Sequence, residues 1–203
     1  MTATTTGLAA RSPKGERTRA RLLDGAIRRF AAEGYRGASV SDIARDAGLT
    51  PAAAYAYFAG KEALFEAAVD ADAAALIDVA RGAAGEGPVR ERELAFVGAL
   101  VEHVDEHPLA RRVLAGLEPD VVHRLLDLPS LHAVREECAR DIADAQRAGE
   151  VRADVDPGAL ASGLESIVLA LLMGHVQTGA ADDPARAQGV IALLDAALRA
   201  PAR

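Results

Sequence analysis

From Arg17 onward the apolar residues of this chain recur at intervals of three and four and almost nowhere alternate with polar ones. That spacing puts them on one face of a helix and cannot serve a half-buried strand. Alanine, the strongest helix former, fills much of the space between. The expectation is an all-α fold in which no strand is needed. Start and stop signals then divide the chain. A first helix runs from Arg17 with Leu22, Ala26 and Phe30 on one face, and ends at Gly34, a residue suited to a left-handed cap. A second starts at Ser39, whose hydroxyl can cap the amides of Ser41 and Asp42, and is stopped by Gly48. Thr50 is a good N-cap and Pro51 sits where a missing N–H costs nothing, so a third helix opens there; a fourth begins at Lys61 and continues past Ala75.

Further helices are expected over 89–107, 109–114, 119–126 and 130–148. Asp156-Pro157 and Asp183-Pro184 repeat the signal of a capping side chain followed by proline, each ahead of a strongly apolar helix. The chain has 203 residues, long enough for one or two domains with a real core. Its single cysteine, Cys138, can form no intrachain disulfide, which favours a reducing compartment. The first residues lack the apolar core of a signal peptide, and the apolar run 167–173 is far shorter than the roughly 20 residues of a membrane span. A cytoplasmic protein with no membrane partner is therefore expected.

A net charge of −7 argues against a polyanionic partner until the chain is divided. Residues 1–65 hold ten Lys/Arg against six Asp/Glu, a net of +4, and the remainder holds 13 against 24, a net of −11. The head is built to meet a polyanion and the acidic body to do something else. Two short helices joined by a turn at Gly48, behind a longer helix, make a helix-turn-helix layout. This gives three divisions: a flexible basic arm (1–15), a DNA-binding head (16–65) and a helical body (66–203).

The head also carries an ordered set of motifs. They are Phe30, Gly34 and Tyr35 at the end of the first helix; Ser-Val-x-x-Ile-Ala from Ser39 to Ala44; Ala-Gly-Leu-Thr from Ala47 to Thr50; and Tyr-x-x-Phe-x-x-Lys-Glu-x-Leu from Tyr55 to Leu64. In this order and at these spacings the stretch resembles the N-terminal domain of TetR/AcrR-type transcriptional regulators, over about a quarter of the chain. The resemblance implies a small core of Phe30, Ile43, Leu49, Phe58 and Leu64, which explains why four of the chain's seven aromatic residues fall within 48–65. It also implies that Tyr55, Thr50 and Lys61 hold the DNA backbone, with Ser39 as a further contact. Phosphates favour helix N-termini, hydroxyls and ammonium groups, and such contacts position a helix without reading sequence.

Pro51, Ala52, Ala53 and Ala56 fall where the family usually places base-reading side chains, and none of them can make the bidentate hydrogen bonds that distinguish bases. Contact with thymine methyls, Tyr57 and Ser41 remain for direct readout, with Arg36 and Arg45 as phosphate or solvent residues. DNA shape, and Arg11, Lys14 and Arg17 in a flanking minor groove, are expected to supplement them.

For the body the resemblance implies effector binding and dimerisation, with the last two long helices forming a four-helix bundle with a partner's pair. Phe96 is the one aromatic residue after Phe65, so a pocket lined by Leu, Val, Ile, Ala and Met173 favours an aliphatic effector over a stacked ring. His103 and His107 have the i, i+4 spacing that can share a metal, but they stand at a helix end beside Pro108. No metal or cofactor is expected, and no phosphate loop or HExxH zinc signature points to an enzyme. The reading is a dimeric repressor released from a palindromic DNA operator by a small apolar effector. The alternatives are a low-specificity architectural DNA-binding protein and a helical enzyme or scaffold.

Overall fold

The computed structural model describes residues 12–119, 127–179 and 184–200. The chain folds into α1 (Pro13–Gly37), α2 (Val40–Asp46), α3 (Pro51–Tyr55), α4 (Lys61–Ala84), α5 (Val89–His103), α6 (Pro108–Leu114), α7 (Pro129–Ala148), α8 (Pro157–Thr178) and α9 (Pro184–Leu198). The fold is all-α; among the described residues the extended pairing consists of an isolated antiparallel bridge between Val151 and Arg199. The helix expected over 119–126 lies outside the described residues, except for its first position.

Helix α1 begins at Pro13, four residues ahead of the expected Arg17, because Ser12 caps it by accepting from the Gly15 amide at 3.1 Å. The stretch read as a flexible arm is therefore helical from Pro13 to Gly15, and residues 1–11 lie outside the description. Gly34 takes a positive φ of 73°, as glycine can, but with ψ at 172° it is not the expected left-handed cap, and helical turns continue to Gly37. Ser39 caps α2 through the Asp42 amide at 3.1 Å, and Thr50 caps α3 through the Ala53 amide at 3.2 Å. Between these two helices Gly48 turns the chain with φ at 67°.

Phe30, Ile43, Phe58 and Leu64 are buried in the head as expected, while Leu49 is half-buried. The head is not closed by its own helices alone. Leu109 and Val113 of α6 lie in the same apolar cluster, and Phe65 stands edge-on to both Phe30 (4.9 Å) and Tyr35 (5.2 Å). Helix α4, about 36 Å long at 1.5 Å per residue, runs from this cluster into the body. Two further apolar clusters fill the body, one around Ile142, Leu164 and Leu198, the other around Leu76, Leu100 and Leu172.

The helix expected over 89–107 ends at His103, and a 3-10 turn (Val104–Glu106) follows. The break takes His103 and His107 off a common face. His103 pairs with Glu106 at 2.9 Å, and His107 meets the buried Asp72 at 3.1 Å. The other oxygen of Asp72 accepts from the Leu109 and Ala110 amides, both at 2.9 Å. A carboxylate on α4 thus caps α6, giving the helix-end amides the acceptor they need.

Helix α8 corrects another expectation. The apolar stretch is the whole 22-residue helix, long and apolar enough by length and composition to cross a membrane, not the seven residues 167–173. Here it packs in the body against α7, and Arg135 of α7 pairs with Glu165 in its middle at 2.8 Å.

Candidate nucleic-acid interface and the cavity of the body

Helix α3 has five residues, and its hold on the head is Ala54, which is buried. Pro51, Ala52, Tyr55 and Ala56 are exposed, with Tyr55 at 53% one of the most exposed large side chains of the head. Ala53 is half-buried, and Ser41 is exposed on the first turn of α2. Tyr57, expected to reach toward bases, lies just past the end of α3. The helix stops at Tyr55, the chain turns, and the Tyr57 ring packs half-buried against the head core. That leaves an α3 surface of proline, alanine and one phenol.

The backbone-holding set differs in how free its donors are. The Thr50 oxygen accepts from Ala53, so its own proton remains available. Ser39 accepts from the Asp42 amide and also donates to the Asp42 carboxylate at 2.7 Å, so its proton is taken. That hydroxyl, and after it Arg45 at 2.6 Å, hold the Asp42 carboxyl below its usual range. The expected Ser39 contact would first have to leave Asp42. Lys61 donates to the Arg36 carbonyl at 3.3 Å and lies 4.7 Å from the Tyr35 ring centre, which fixes its ammonium at the end of α1. Two of its three protons remain beyond that hydrogen bond. Lys14, Arg17, Arg19 and Arg28 are exposed along α1, with Arg19 stacked 5.3 Å over Phe58. Arg29 ties α1 to α2 through Asp46 (2.6 Å) and also pairs within α1 with Glu33 (2.5 Å).

Two tertiary features of the head were not read from the sequence. Arg21 donates to the Ala47 carbonyl, closing the end of α2 onto α1. At the far end of α1, Glu118 accepts from the Tyr35 amide at 3.1 Å and pairs with Arg112 at 2.7 Å, while Arg112 also donates to the Ala31 carbonyl at 3.3 Å. Both links join residues far apart in sequence, where local patterns carry no signal.

The body holds a partly open cavity of about 120 Å³ between α4, α5, α6, α7, α8 and α9. Its wall is almost wholly apolar, as expected, with Leu76, Val97, Leu100, Val113, Val168 and Leu172 among the lining residues. Met173 does not line it; Phe96 does, and so do three charged residues, Glu93, Arg135 and Glu165. The sequence held one signal for them: Glu165 is the single Asp, Glu, Lys or Arg in the α8 stretch. Burial raises the Glu93 carboxyl above its ordinary range, and burial together with Glu93 pushes the Cys138 thiol far up. Cys138 is accordingly held as an inert thiol.

A sequence profile described as bacterial regulatory proteins of the tetR family matches residues 22–68, which cover most of α1, all of α2 and α3, and the start of α4. The HTH-type transcriptional regulator YdgC of Bacillus subtilis (strain 168) is 26% identical over 186 residues, spanning 89% of this chain and 92% of that protein. A solved structure described as "Molecular basis for control of antibiotic production by a bacterial hormones" is 30% identical, with 94% of this chain and 100% of that chain covered and a TM-score of 0.67. The fatty acid degradation regulator FadR from Bacillus halodurans shares the fold at 20% identity, with coverages of 91% and 95% and a TM-score of 0.68. With a helix-turn-helix head, a wholly helical body and these likenesses along nearly its full length, the chain belongs to the TetR family of DNA-binding transcriptional regulators.

Proposed function

We propose that the chain is a dimeric repressor that leaves a palindromic operator when a small, largely apolar effector enters the cavity of the body. Residues 16–65 act as the DNA-binding head and residues 66–203 as the sensing and dimerising body. The observation that carries this reading is helix α6. It supplies Ala110, Val113 and Leu114 to the cavity wall, and through Arg112 it grips the end of α1, the long helix of the head. A ligand that shifts α6 therefore acts on the helix that carries α2 and α3. Repression, effector response and dimerisation are typical of the TetR family. One relative is described as the molecular basis for control of antibiotic production by bacterial hormones, in keeping with a chemical signal.

Dimerisation is supported by α8 and α9. The most apolar 18-residue window of α8 has a mean hydropathy of 1.7, yet only 17% of it is buried within one chain. Ile167, Ile191 and Leu193 are 37%, 50% and 64% exposed. A second copy placed on these two helices covers them, and it doubles the DNA contacts by setting two α3 helices on successive half-sites.

On the DNA, Tyr55, Thr50 and Lys61 hold phosphates, Pro51, Ala52, Ala53 and Ala56 offer apolar contact, and Ser41 adds a hydroxyl. Selection of bound duplexes from a random pool at near-physiological salt tests this. One enriched palindrome is expected, bound by a species of twice the chain mass in light scattering. Tight, salt-sensitive binding with no consensus would replace it with the architectural reading, which the alanine surface of α3 favours.

A further inference from the structure

The cavity is apolar but not neutral. Glu93, Arg135 and Glu165 reach it, and a second, polar cleft shares Glu93, Phe96, Val134 and Cys138 with it, so these four form the wall between the two spaces. The arginines around both spaces are already matched. Arg81 pairs with Glu137, Arg92 with Asp141 and Arg135 with Glu165. Among the described residues no cation is ion-paired with Glu93, and its hydrogen bond with the Cys138 side chain brings no charge, so one negative charge is left over. Glu165 points the same way: its side chain is nine-tenths buried, Arg135 occupies one oxygen, and the other, Oε1, has no hydrogen-bond partner among the described residues. Leaving a buried carboxylate oxygen bare and a half-buried carboxylate unmatched both cost stability. A ligand that brings protons to these two sites removes both costs, and one that brings only acceptors removes neither.

The geometry points to an amphiphilic cation as the effector, a small aliphatic amine whose hydrocarbon body fills the cavity and whose ammonium group is taken by Glu93 and the open oxygen of Glu165. This rests on the effector reading above and names its ligand class. The size is consistent. An apolar protein cavity of about 150 Å³ holds benzene, so about 120 Å³ suits a body near six carbons before any expansion. Aromatic stacking contributes little, because Phe96 is the single ring in the wall among the described residues. The charge is consistent too, because Arg135, the cation that would attract an anionic head, is already neutralised by Glu165.

Three ligands of one shape separate the possibilities: cyclohexylmethylamine, cyclohexylmethanol and cyclohexanecarboxylate, titrated by calorimetry into the full-length protein. The amine is expected to bind about tenfold or more tighter than the carboxylate, with the alcohol between them. Glu93→Gln and Glu165→Gln should each weaken the amine about tenfold while moving the alcohol by no more than about twofold. Glu93→Gln keeps the side-chain shape and removes an unmatched charge, so it is expected to melt no lower than the parent, and a lost signal in it cannot be blamed on misfolding. A carboxylate that binds as well as the amine, or amine binding unchanged in both variants, overturns the head-group assignment and leaves the cavity as an effector site. Binding of none of the three removes the effector reading, and this inference with it.

Discussion

Gly34 shows how much one residue carries at the junction of head and body. Its φ of 73° lies in the left-handed region, where a side chain is strained. A Cβ placed there would stand 2.5 Å from the Arg112 guanidinium and 2.8 Å from the Glu118 carboxylate. Both are ends of side chains that can swing away, so the backbone carries most of the cost and the Arg112–Glu118 pair is displaced. Gly34→Ala is expected to cost about 1–3 kcal/mol, a fall of about 2–12 °C in melting temperature by calorimetry. The need for glycine at this turn was legible in the sequence, since little else tolerates a positive φ. The pair above it was not, because only the fold brings Arg112 and Glu118 to the end of α1.

Glu93 gives a second prediction at the same scale, with the opposite sign. Burial raises its carboxyl pKa in the folded chain, so the native state binds that proton more readily than the unfolded state does. The resulting penalty is full above the folded pKa and vanishes as pH falls below the ordinary carboxyl value of about 4.3. Glu93→Gln should therefore raise the melting temperature at pH 8, with a gain that shrinks as the pH approaches about 4. A gain that persisted unchanged to low pH would mean that shape, not charge, set the effect.

At the scale of elements, α3 was the most legible piece, because its signals are local. Five residues are too few to be helical unaided, and Thr50, Pro51 and the buried Ala54 supply what length does not. The helical count ran on past Tyr55, but the helix stops there and the Tyr57 ring packs half-buried against the head core. Similarly, the break at Val104–Glu106 is not marked by glycine or proline within the turn; Asp72, from another helix, receives the amides that follow. The consequence for DNA binding is specific. Tyr55→Phe removes one exposed hydroxyl and should weaken every duplex alike, by about 2- to 10-fold. Lys61→Ala should weaken all sequences too and lower the slope of log affinity against log salt by about 1 for each half-site. Electrophoretic titrations at three salt concentrations on operator and scrambled DNA measure both effects. A change in which sequence is preferred would show that these two side chains read bases.

Across the whole molecule, the division of charge between a basic head and an acidic body was visible in the sequence, but the contact that joins them at α6 was not. Helix α6 is fixed at its start by Asp72, faces the cavity along one side and holds α1 through Arg112. Coupling between two sites requires an element that both can bias, and it is reciprocal in the two binding free energies. Arg112→Ala removes the grip on Ala31 and leaves the cavity wall in place, because Arg112 is not among its lining residues. The variant should bind operator and effector separately, each within a few-fold of the parent, while the factor by which effector weakens operator binding falls toward 1. Measuring effector affinity with and without operator must return the same reduced factor, since the cycle closes. If Arg112→Ala kept the parent's full response, the signal would reach the head without the Arg112 grip, through Leu109 and Val113 of α6 in the head cluster or along α4 through Phe65 and its contact with Phe30.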